Sequence, residues 1–270
     1  MMIKRCRKSI IKAVFIVLIG IYLPFQSLAW GVIGHRVIGE IAFMNLNAKA
    51  RKEIRKILGT ESIAMASTWA DFVKSDPSYD YLYNWHFINI NETLNHEQFI
   101  ERLKNDTAVD AYTKLTMIID SLKSKNLDAN KKLMYLKLLI HIAGDLHQPM
   151  HVARQSDLGG NRIRVLWFNQ NSNLHRVWDE QLVEFQQLSY TEYAATLNHT
   201  TKAQRLAWQK QPLAEWMFET YQHCQKIYNG ITEDNQKLSY KYNFDFLETL
   251  NGQLLKGGIR LAGILNDIYG

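Results

Sequence analysis

The chain has 270 residues, and its 32 Lys and Arg against 26 Asp and Glu give a formal net charge of +6 at pH 7. The first 29 residues hold five basic and no acidic side chains, so subtracting five from +6 leaves a charge of +1 on residues 30–270. This near-neutral remainder has the length of one compact domain and gives no evidence for a broad basic surface that coats nucleic acid.

The first 29 residues have the pattern of an export signal. A basic head precedes an apolar run over residues 13–23, and the small residues Ser27 and Ala29 stand just before Trp30. This pattern predicts cleavage between Ala29 and Trp30. The alternative is an uncleaved membrane anchor, but the apolar run is shorter than the roughly 20 residues that a span needs. We therefore expect a signal peptide over 1–29 and a secreted or periplasmic domain over 30–270, without stable membrane association.

Apolar residues at helical spacing dominate the predicted domain. They predict helices over residues 38–44, 54–58, 133–146, 213–227 and 244–268. We expect the last helix to be loosened by Gly257 and Gly258. Residues 162–168 instead alternate and are rich in β-forming residues between two turn-like stretches, which predicts a short hairpin. The predicted fold is all-α: a single, mostly helical domain with one short β-hairpin.

The segment from His141 to His151 is the richest in possible metal ligands. His141 and Asp145 are four residues apart, so on a helix they share one face and can grip one metal. Pro149 then ends the helix, which lets His151 point toward a second metal.

A second pair, His175 and Asp179, repeats this spacing. Either pair alone is compatible with an ordinary ion pair on a helix surface. Two pairs and His151 within 39 residues favour zinc binding, because imidazole and carboxylate are donors that zinc accepts. The apolar neighbours of His141 strengthen this interpretation, since a buried imidazole needs a partner.

The possible metal ligands upstream of His141 are weaker candidates when each is considered alone. Asp71 has the alternative of a helix-face carboxylate, and His86 that of a core histidine bonded to backbone. After cleavage, Trp30 would carry an α-amine of pKa about 8, which can bind zinc once deprotonated, with the Trp30 carbonyl closing the chelate. His35 follows five residues later. The alternative is that Trp30 packs on the surface and His35 caps a helix.

Taken together, these segments resemble the single-strand-specific nucleases of the S1/P1 type, also called 3′-nucleotidases, of fungi, plants and bacteria. The resemblance runs from Trp30 to about Trp178. The matching motifs are W-G-x-x-G-H at 30–35, W-A-D-x-x-K at 69–74, W-H-F-I-N at 85–89, H-x-x-x-D-x-H-Q-P-M-H at 141–151, D-x-G-G-N at 157–161 and H-x-x-x-D at 175–179.

This resemblance implies a phospholipase C/nuclease-like fold with three zinc ions. The family pattern assigns nine ligand positions to three groups: Asp71, His86, His141 and Asp145; Trp30, His35 and the bridging Asp145; and His151, His175 and Asp179. His147 has no ligand role in that pattern, and we expect it to orient its loop or a neighbouring ligand.

The resemblance also implies a reaction. Asp71 and Asp145 would hold the zinc ions whose shared water attacks phosphorus, and Lys74 would stabilise the transition state. Phe87 would stack on a base of single-stranded DNA or RNA, while Asn89 and Asn161 would hydrogen-bond it. We expect 5′-phosphorylated products, 3′-nucleotidase activity and a monomer.

Two departures from the family pattern refine these expectations. Many members have aspartate where this chain has Asn89, so base preference is expected to differ. Residues 30–270 contain one cysteine, Cys224, and therefore lack the disulfides common in fungal and plant members. This indicates a bacterial member.

Two other classes of protein compete with the nuclease. Zinc-dependent phospholipase C is similar in fold and metal cluster, but its first histidine lies further from the terminal tryptophan and its last ligand is usually glutamate. A non-catalytic zinc-storage protein would have no need for Lys74 or for an aromatic ring at Phe87.

Overall fold

The structure, a computed structural model, describes residues 30–124 and 126–270. The predicted signal peptide lies outside them. The described chain is mostly helical, which confirms the predicted fold class. The α-helices of eight residues or more are α1 (Val32–Met44), α2 (Ala48–Leu58), α3 (His96–Lys104), α4 (Ala111–Lys123), α5 (Ala129–Asp145), α6 (Tyr190–Leu197), α7 (Lys202–Lys210), α8 (Leu213–Asn229) and α9 (Tyr240–Tyr269).

Short α-helical turns, three 3-10 segments and a π-helical turn connect these helices and carry several of the predicted site residues. They are the α-helical turns Ile63–Ala66, Trp69–Phe72, Leu174–Arg176 and Leu182–Glu184, the 3-10 segments Val73–Ser75, Pro77–His86 and Pro149–His151, and the π-helical turn Val177–Gln181. Among the described residues, no helix is both long and apolar enough to cross a bilayer.

Side-chain caps explain where many helices begin. At α3, Asn95 accepts a hydrogen bond from the backbone of Gln98, and the Gln98 side chain accepts one from the Asn95 backbone. The same reciprocal capping box starts α4, α6 and α7. Each box satisfies two backbone donors that a helix start would otherwise leave without partners.

The end of α5 lies in the middle of the core. Every residue from Leu138 to Ala153 is buried, so the helix has no solvated face over its last two turns. A helix that is apolar all round is typical of a core position. The segment that holds His141, Asp145 and His151 is therefore fixed by packing on all sides.

Helix α9 packs along α1 and is continuous from Tyr240 to Tyr269. The expectation that glycines would loosen it was wrong. A Cβ atom on Gly258 would lie 2.5 Å from Cβ and Cγ2 of Ile41, so glycine is what permits the close approach of the two helices.

Two small sheets complete the fold. Strands β1 (Ile88–Asn89) and β2 (Val152–Ala153) pair in parallel, with Asn89 opposite Ala153. Strand β3 (Arg164–Trp167) pairs antiparallel with β4 (Gln170–Asn173) and parallel with β5 (Gln236–Leu238).

The predicted hairpin is confirmed as β3 and β4. Phe168 and Asn169 turn between the strands with φ of 47° and 65°, which is the positive-φ turn that suits hairpin twist. The predicted hairpin covered residues 162–168 only. Its second strand, β4, instead lies at Gln170–Asn173, which the sequence had indicated as a turn-like boundary. β5 and the β1–β2 pair were not predicted, since two or three residues are too short to show alternation.

The glycine contact on α9 gives a testable prediction. We expect Gly258→Ala to lower the free energy of unfolding by about 1–3 kcal/mol, because the added methyl group overpacks against Ile41. Gly252→Ala on the same helix meets no atom within 4 Å and should instead stabilise by about 0.5–1 kcal/mol. Urea unfolding at one fixed zinc concentration measures both; equal effects would contradict the packing argument.

Candidate metal centre

Asp145, at the C-terminal end of α5, is the centre of the site and is fully buried. Its Oδ2 lies 3.1 Å from Nε2 of His141 and 3.0 Å from Nδ1 of His86. Its Oδ1 lies 3.2 Å from Nε2 of His35 and 3.8 Å from Nδ1 of His151. The two carboxylate oxygens therefore face different sets of histidines.

Asp71 closes the same cluster from the short helix Trp69–Phe72, which packs against α5. Its Oδ1 lies 3.7 Å from Nε2 of His141 and 4.0 Å from Nδ1 of His86, and its Oδ2 lies 3.9 Å from Nε2 of His35. The structure thus brings together all the side chains predicted for the first zinc and adds His35 beside them. Asp71 and His86 thus lie together in one cluster, where Asp71 also pairs with Lys74.

His35 reaches the cluster from the first turns of α1. Its ring stacks on His141 with 4.0 Å between centroids, and it is buried within the helix instead of capping it. A Cβ atom on Gly144 would lie 2.9 Å from Nδ1 of His35, so the glycine before Asp145 makes room for this ring.

Trp30 is 0% exposed, which overturns the alternative of surface packing. Its indole Nε1 donates a 2.9 Å hydrogen bond to the carbonyl of Gly144. The next residue, Gly31, donates from its backbone to the carbonyl of Asp179 at 2.7 Å. The first two described residues are therefore held between the segments that carry Asp145 and Asp179.

His151, His175 and Asp179 form the third predicted group. Nε2 of His175 lies 2.9 Å from Oδ2 of Asp179, and Nε2 of His151 lies 3.6 Å from Oδ1. His175 lies in the α-helical turn Leu174–Arg176, and Asp179 lies in the π-helical turn Val177–Gln181 that follows it. Such a π-turn inserts a residue into the helical repeat and is common at functional sites.

Backbone carbonyls orient three of the imidazoles. Nδ1 of His141 donates to Ser67, that of His151 to His86 and that of His175 to Gly159, each at 2.6 Å. A ring whose Nδ1 donates presents Nε2 as the lone-pair atom, which is the usual outer support of a metal-ligating histidine.

The donor atoms that face the centre fit a metal. Nε2 of His35, His151 and His175 and Oδ1 of Asp145 are buried, and although His35 and His175 lie close to a carboxylate, none of these atoms makes a hydrogen bond of acceptable geometry among the described residues. Leaving such atoms unsatisfied is costly, and nitrogen and carboxylate oxygen are donors that zinc binds.

The electrostatics of the cluster also favour cations. Burial by itself raises the pKa of Asp145, but His141 and His151 outweigh it and hold that pKa well below its usual range. Burial likewise raises the pKa of Asp71, yet His141 and Lys74 bring it to about 2. Ionised carboxylates in a buried site call for positive charge.

The buried histidines respond to this field in opposite ways. Burial lowers the pKa of His151, but the carboxylates of Asp145 and Asp179 together outweigh burial and raise it to about 9. Burial and the charge of Lys74 lower the pKa of His86 to about 4. Protons on such a cluster compete with a divalent cation, which would supply the same positive charge.

The predicted catalytic lysine adjoins the cluster. Nζ of Lys74 lies 2.6 Å from Oδ1 of Asp71, within the 3-10 turn Val73–Ser75 that follows the Asp71 helix. Its side chain keeps partial access to solvent.

The predicted base-binding residues border the third group. Phe87 follows His86 directly and Asn89 lies two residues further on; both are half-buried. Asn161 donates from Nδ2 to the carbonyl of Leu158 at 2.8 Å, in the loop whose Gly159 carbonyl orients His175.

Sequence reasoning missed a second set of residues, which hold the ligand loop, residues 146–151 between α5 and β2. Nε2 of Gln148 donates to Oδ1 of Asp179, and Oε1 accepts from the backbone of Met150. Thr220 on α8 donates to the carbonyl of Leu146 at 2.8 Å, and Gln253 on α9 donates to that of His147 at 2.9 Å. The only signal for Gln148 was its place between His147 and Pro149.

Arg260 is the most buried charged residue among those that hold the ligand loop. It is 1% exposed; its Nη1 lies 3.0 Å from Nε2 of His147, and its Nη2 donates to Glu219 at 2.6 Å. Nδ1 of His147 in turn bonds the carbonyl of Ala143 at 2.7 Å. No spacing in the sequence connects Arg260 with a loop more than a hundred residues earlier.

Comparison with known sequences decides the family. The sequence profile of the S1/P1 nucleases matches residues 30–270, which is most of the chain. The chain belongs to the S1/P1 nuclease family.

Relatives of this S1/P1 family member are themselves nucleases by name. It is 27% identical to endonuclease 2 of Arabidopsis thaliana, over 89% of this chain and 91% of that protein. It is 26% identical to nuclease P1 of Penicillium citrinum, over 89% and 98%. It is 29% identical to nuclease S1 of Aspergillus oryzae, over 57% and 55%. These matches do not favour the phospholipase C alternative.

The buried support of the ligand loop is testable in this S1/P1 family member. Arg260→Met removes the donor to His147 and should cost roughly 1–3 kcal/mol of unfolding free energy by leaving buried polar groups unpaired. We also expect the loosened loop to lose its metal at a lower chelator concentration than the parent protein. Lys241→Met on the same helix is the control, since its ammonium pairs only with the exposed Asp245 among the contacts described. Parent-like chelator titration of Arg260→Met would contradict the supporting role.

Proposed function

We propose that this member of the S1/P1 family is a zinc-dependent nuclease that hydrolyses phosphodiester bonds of single-stranded DNA and RNA. Its products would be 5′-phosphorylated, and it would also have 3′-nucleotidase activity. The observation that carries this proposal is the buried carboxylate of Asp145, whose two oxygens face separate histidine sets beside a third His/Asp group.

Three zinc ions suit the donors present. Asp71, His86, His141 and Asp145 would hold the first, and Asp145 would bridge to the second with His35 and the terminal Trp30. His151, His175 and Asp179 would hold the third. Bound zinc supplies Lewis-acid chemistry: it lowers the pKa of water and polarises phosphoryl oxygens.

The second ion needs the free α-amine of Trp30, and hence cleavage after Ala29. The hydrogen bonds from Trp30 to Gly144 and from Gly31 to Asp179 support this, because they hold the first residues of the domain against both neighbouring groups. The proposal also includes export to the periplasm or medium, a bacterial source, a monomeric state and no stable membrane attachment.

The chain's own residues divide the remaining work. Asp71 and Asp145 stay ionised and provide the negative charge that binds cations in the site. The ammonium of Lys74, held by Asp71, offers positive charge to the phosphoryl oxygens as negative charge grows there. These are fixed charges in a largely dry site, where they act more strongly than in water.

Substrate selection falls to the border of the third group. Phe87 would stack on a base, and Asn89 and Asn161 would hydrogen-bond its edge. Stacking needs a base that has left its duplex, which favours single strands and tolerates most sequences. The amide of Asn89 offers both a donor and an acceptor, so it discriminates bases differently from a carboxylate.

The activity is tested with protein that begins at Trp30. We expect release of 5′-nucleotides from single-stranded DNA and RNA, much slower attack on duplexes, loss on chelation and recovery with added zinc. Phosphatidylcholine is the parallel substrate. Hydrolysis of the lipid alone would identify a phospholipase C, and zinc binding with no hydrolysis of either would identify a storage protein.

The bridging role of Asp145 predicts an unequal loss of metal. Asp145→Asn should remove more than one equivalent of zinc, whereas Asp179→Asn should remove one, because only Asp145 would serve two ions. Elemental analysis gives the zinc content, and circular dichroism checks that each variant is folded. Loss of a single equivalent from Asp145→Asn would refute the bridge.

A matched control addresses the terminal ligand. One alanine placed before Trp30 moves the α-amine away while keeping every side chain, and it should lower the zinc content. An unchanged content would remove Trp30 from the proposed ligands without affecting the other eight.

A further inference from the structure

A cavity of about 420 Å³ opens beside the metal centre, between the beginning of α5 and the segment that follows Asp71. Trp69, Tyr79, Lys131, Met134 and Lys137 are among the residues that line it. The residues proposed above to bind zinc or the scissile nucleotide are not among those lining residues.

The cavity shares its walls with the elements that carry the first metal group. Trp69 lies two residues before Asp71 on the same short helix, and Tyr79 lies on the 3-10 segment that ends at His86. Lys137 precedes His141 by four residues on α5, a rise of about 6 Å along the helix. The cavity therefore lies roughly one helical turn outward from the proposed reaction centre.

Aromatic rings form one side of this cavity. Trp69 and Tyr79 meet edge to face with 5.6 Å between centroids, and Tyr79 stacks against Tyr81 at 6.5 Å. Tyr81 is 52% exposed, and its hydroxyl lies 3.7 Å from Sδ of Met134 in the lining. An exposed ring at the mouth of an aromatic cavity offers a stacking surface to a flat ligand.

Two ammonium groups also line this cavity. Nζ of Lys137 lies 5.7 Å from the centre of the Trp69 ring and is also 2.7 Å from Glu61. Lys131, on the exposed first turn of α5, has Nζ 5.5 Å from the ring of Tyr135. Asp128 also lines the cavity, where its carboxylate caps α5 by accepting from the backbone of Lys131. Lys131 is thus the more available of the two cations for a phosphate.

Two pairs of rings lie along the 3-10 segment Pro77–His86 and its end, between this cavity and the proposed base site. Tyr81 meets Trp85 edge to face at 5.8 Å, and Tyr83 meets Phe87 at 5.6 Å. Tyr83 is 66% exposed. Exposed aromatic rings on which bases stack, together with cations, are how proteins bind single strands without reading their sequence.

We propose that this cavity is a subsite for a nucleotide that flanks the scissile phosphodiester. The flanking base stacks against Tyr81 and the Trp69–Tyr79 pair, and Lys131 contacts a phosphate of the same strand. This inference rests on the proposed nuclease function and adds a second contact region to it. A strand of several nucleotides would then bind more tightly than a dinucleotide, which is too short to fill both regions.

The test compares the parent with the double variant Tyr81→Leu/Lys131→Ala on a ten-nucleotide single strand and on a dinucleotide. We expect the KM for the longer strand to rise roughly tenfold, since one stacked base and one phosphate contact are lost. The KM and kcat for the dinucleotide, and the zinc content, should stay as in the parent. The matched control is Tyr240→Leu/Lys132→Ala, which removes an exposed tyrosine on α9 and a lysine outside the lining.

Direct binding separates this inference from the proposed function. The affinity of zinc-loaded protein for a non-hydrolysable ten-nucleotide strand, measured by fluorescence anisotropy, should fall by the same factor in the double variant and stay constant in the control. Parent-like affinity and KM in the double variant would overturn the subsite, and so would equal losses on both substrate lengths. If neither the parent nor the variants hydrolyse the ten-nucleotide strand or the dinucleotide, the nuclease proposal fails. The anisotropy result still decides whether the subsite exists.

Discussion

One buried carboxylate organises this protein. Asp145 is fully enclosed, yet its two oxygens lie within 4 Å of four histidines that come from α1, the segment before β1, α5 itself and the loop after it. An ionised group in such a place is very unfavourable unless positive charge surrounds it. The packing of these four parts of the chain therefore depends on what neutralises Asp145, which in the metal-bound protein would be divalent cations.

The surrounding protein holds Asp145 and the loop after it in a fixed position. Residues 138–153 are buried without interruption, and the loop after Asp145 is tied to α8 by Thr220 and to α9 by Gln253 and Arg260. Burial of so many polar groups costs stability, and metal binding offsets it, since the metal binds the folded state and not the open chain. Function and folding thus draw on the same cluster, whereas the surface beside it carries exposed rings that suit a flexible, unpaired strand.

The sequence by itself determined a good deal. Periodic apolar residues gave the mostly helical fold, and the alternation near residues 162–168 gave the hairpin. Spacing of four residues placed His141 with Asp145 and His175 with Asp179, because a helix brings such positions onto one face. These are local features, and local geometry follows from the order of residues along the chain. The resemblance to S1/P1 nucleases then joined the separate pairs into one set, and the family match bears that resemblance out.

Tertiary structure decided the rest. The sequence predicted that Gly257 and Gly258 would weaken a helix, but α9 is continuous, and its close packing on α1 at Ile41 requires glycine at position 258. Strand β5 pairs with β3 although the two lie about seventy residues apart, and Arg260 supports His147 over a still longer separation. The side of Asp145 that each histidine faces, and the aromatic cavity next to Asp71, likewise arise only when distant segments meet. Contacts between remote residues depend on how whole elements pack, and no periodicity within one element encodes them.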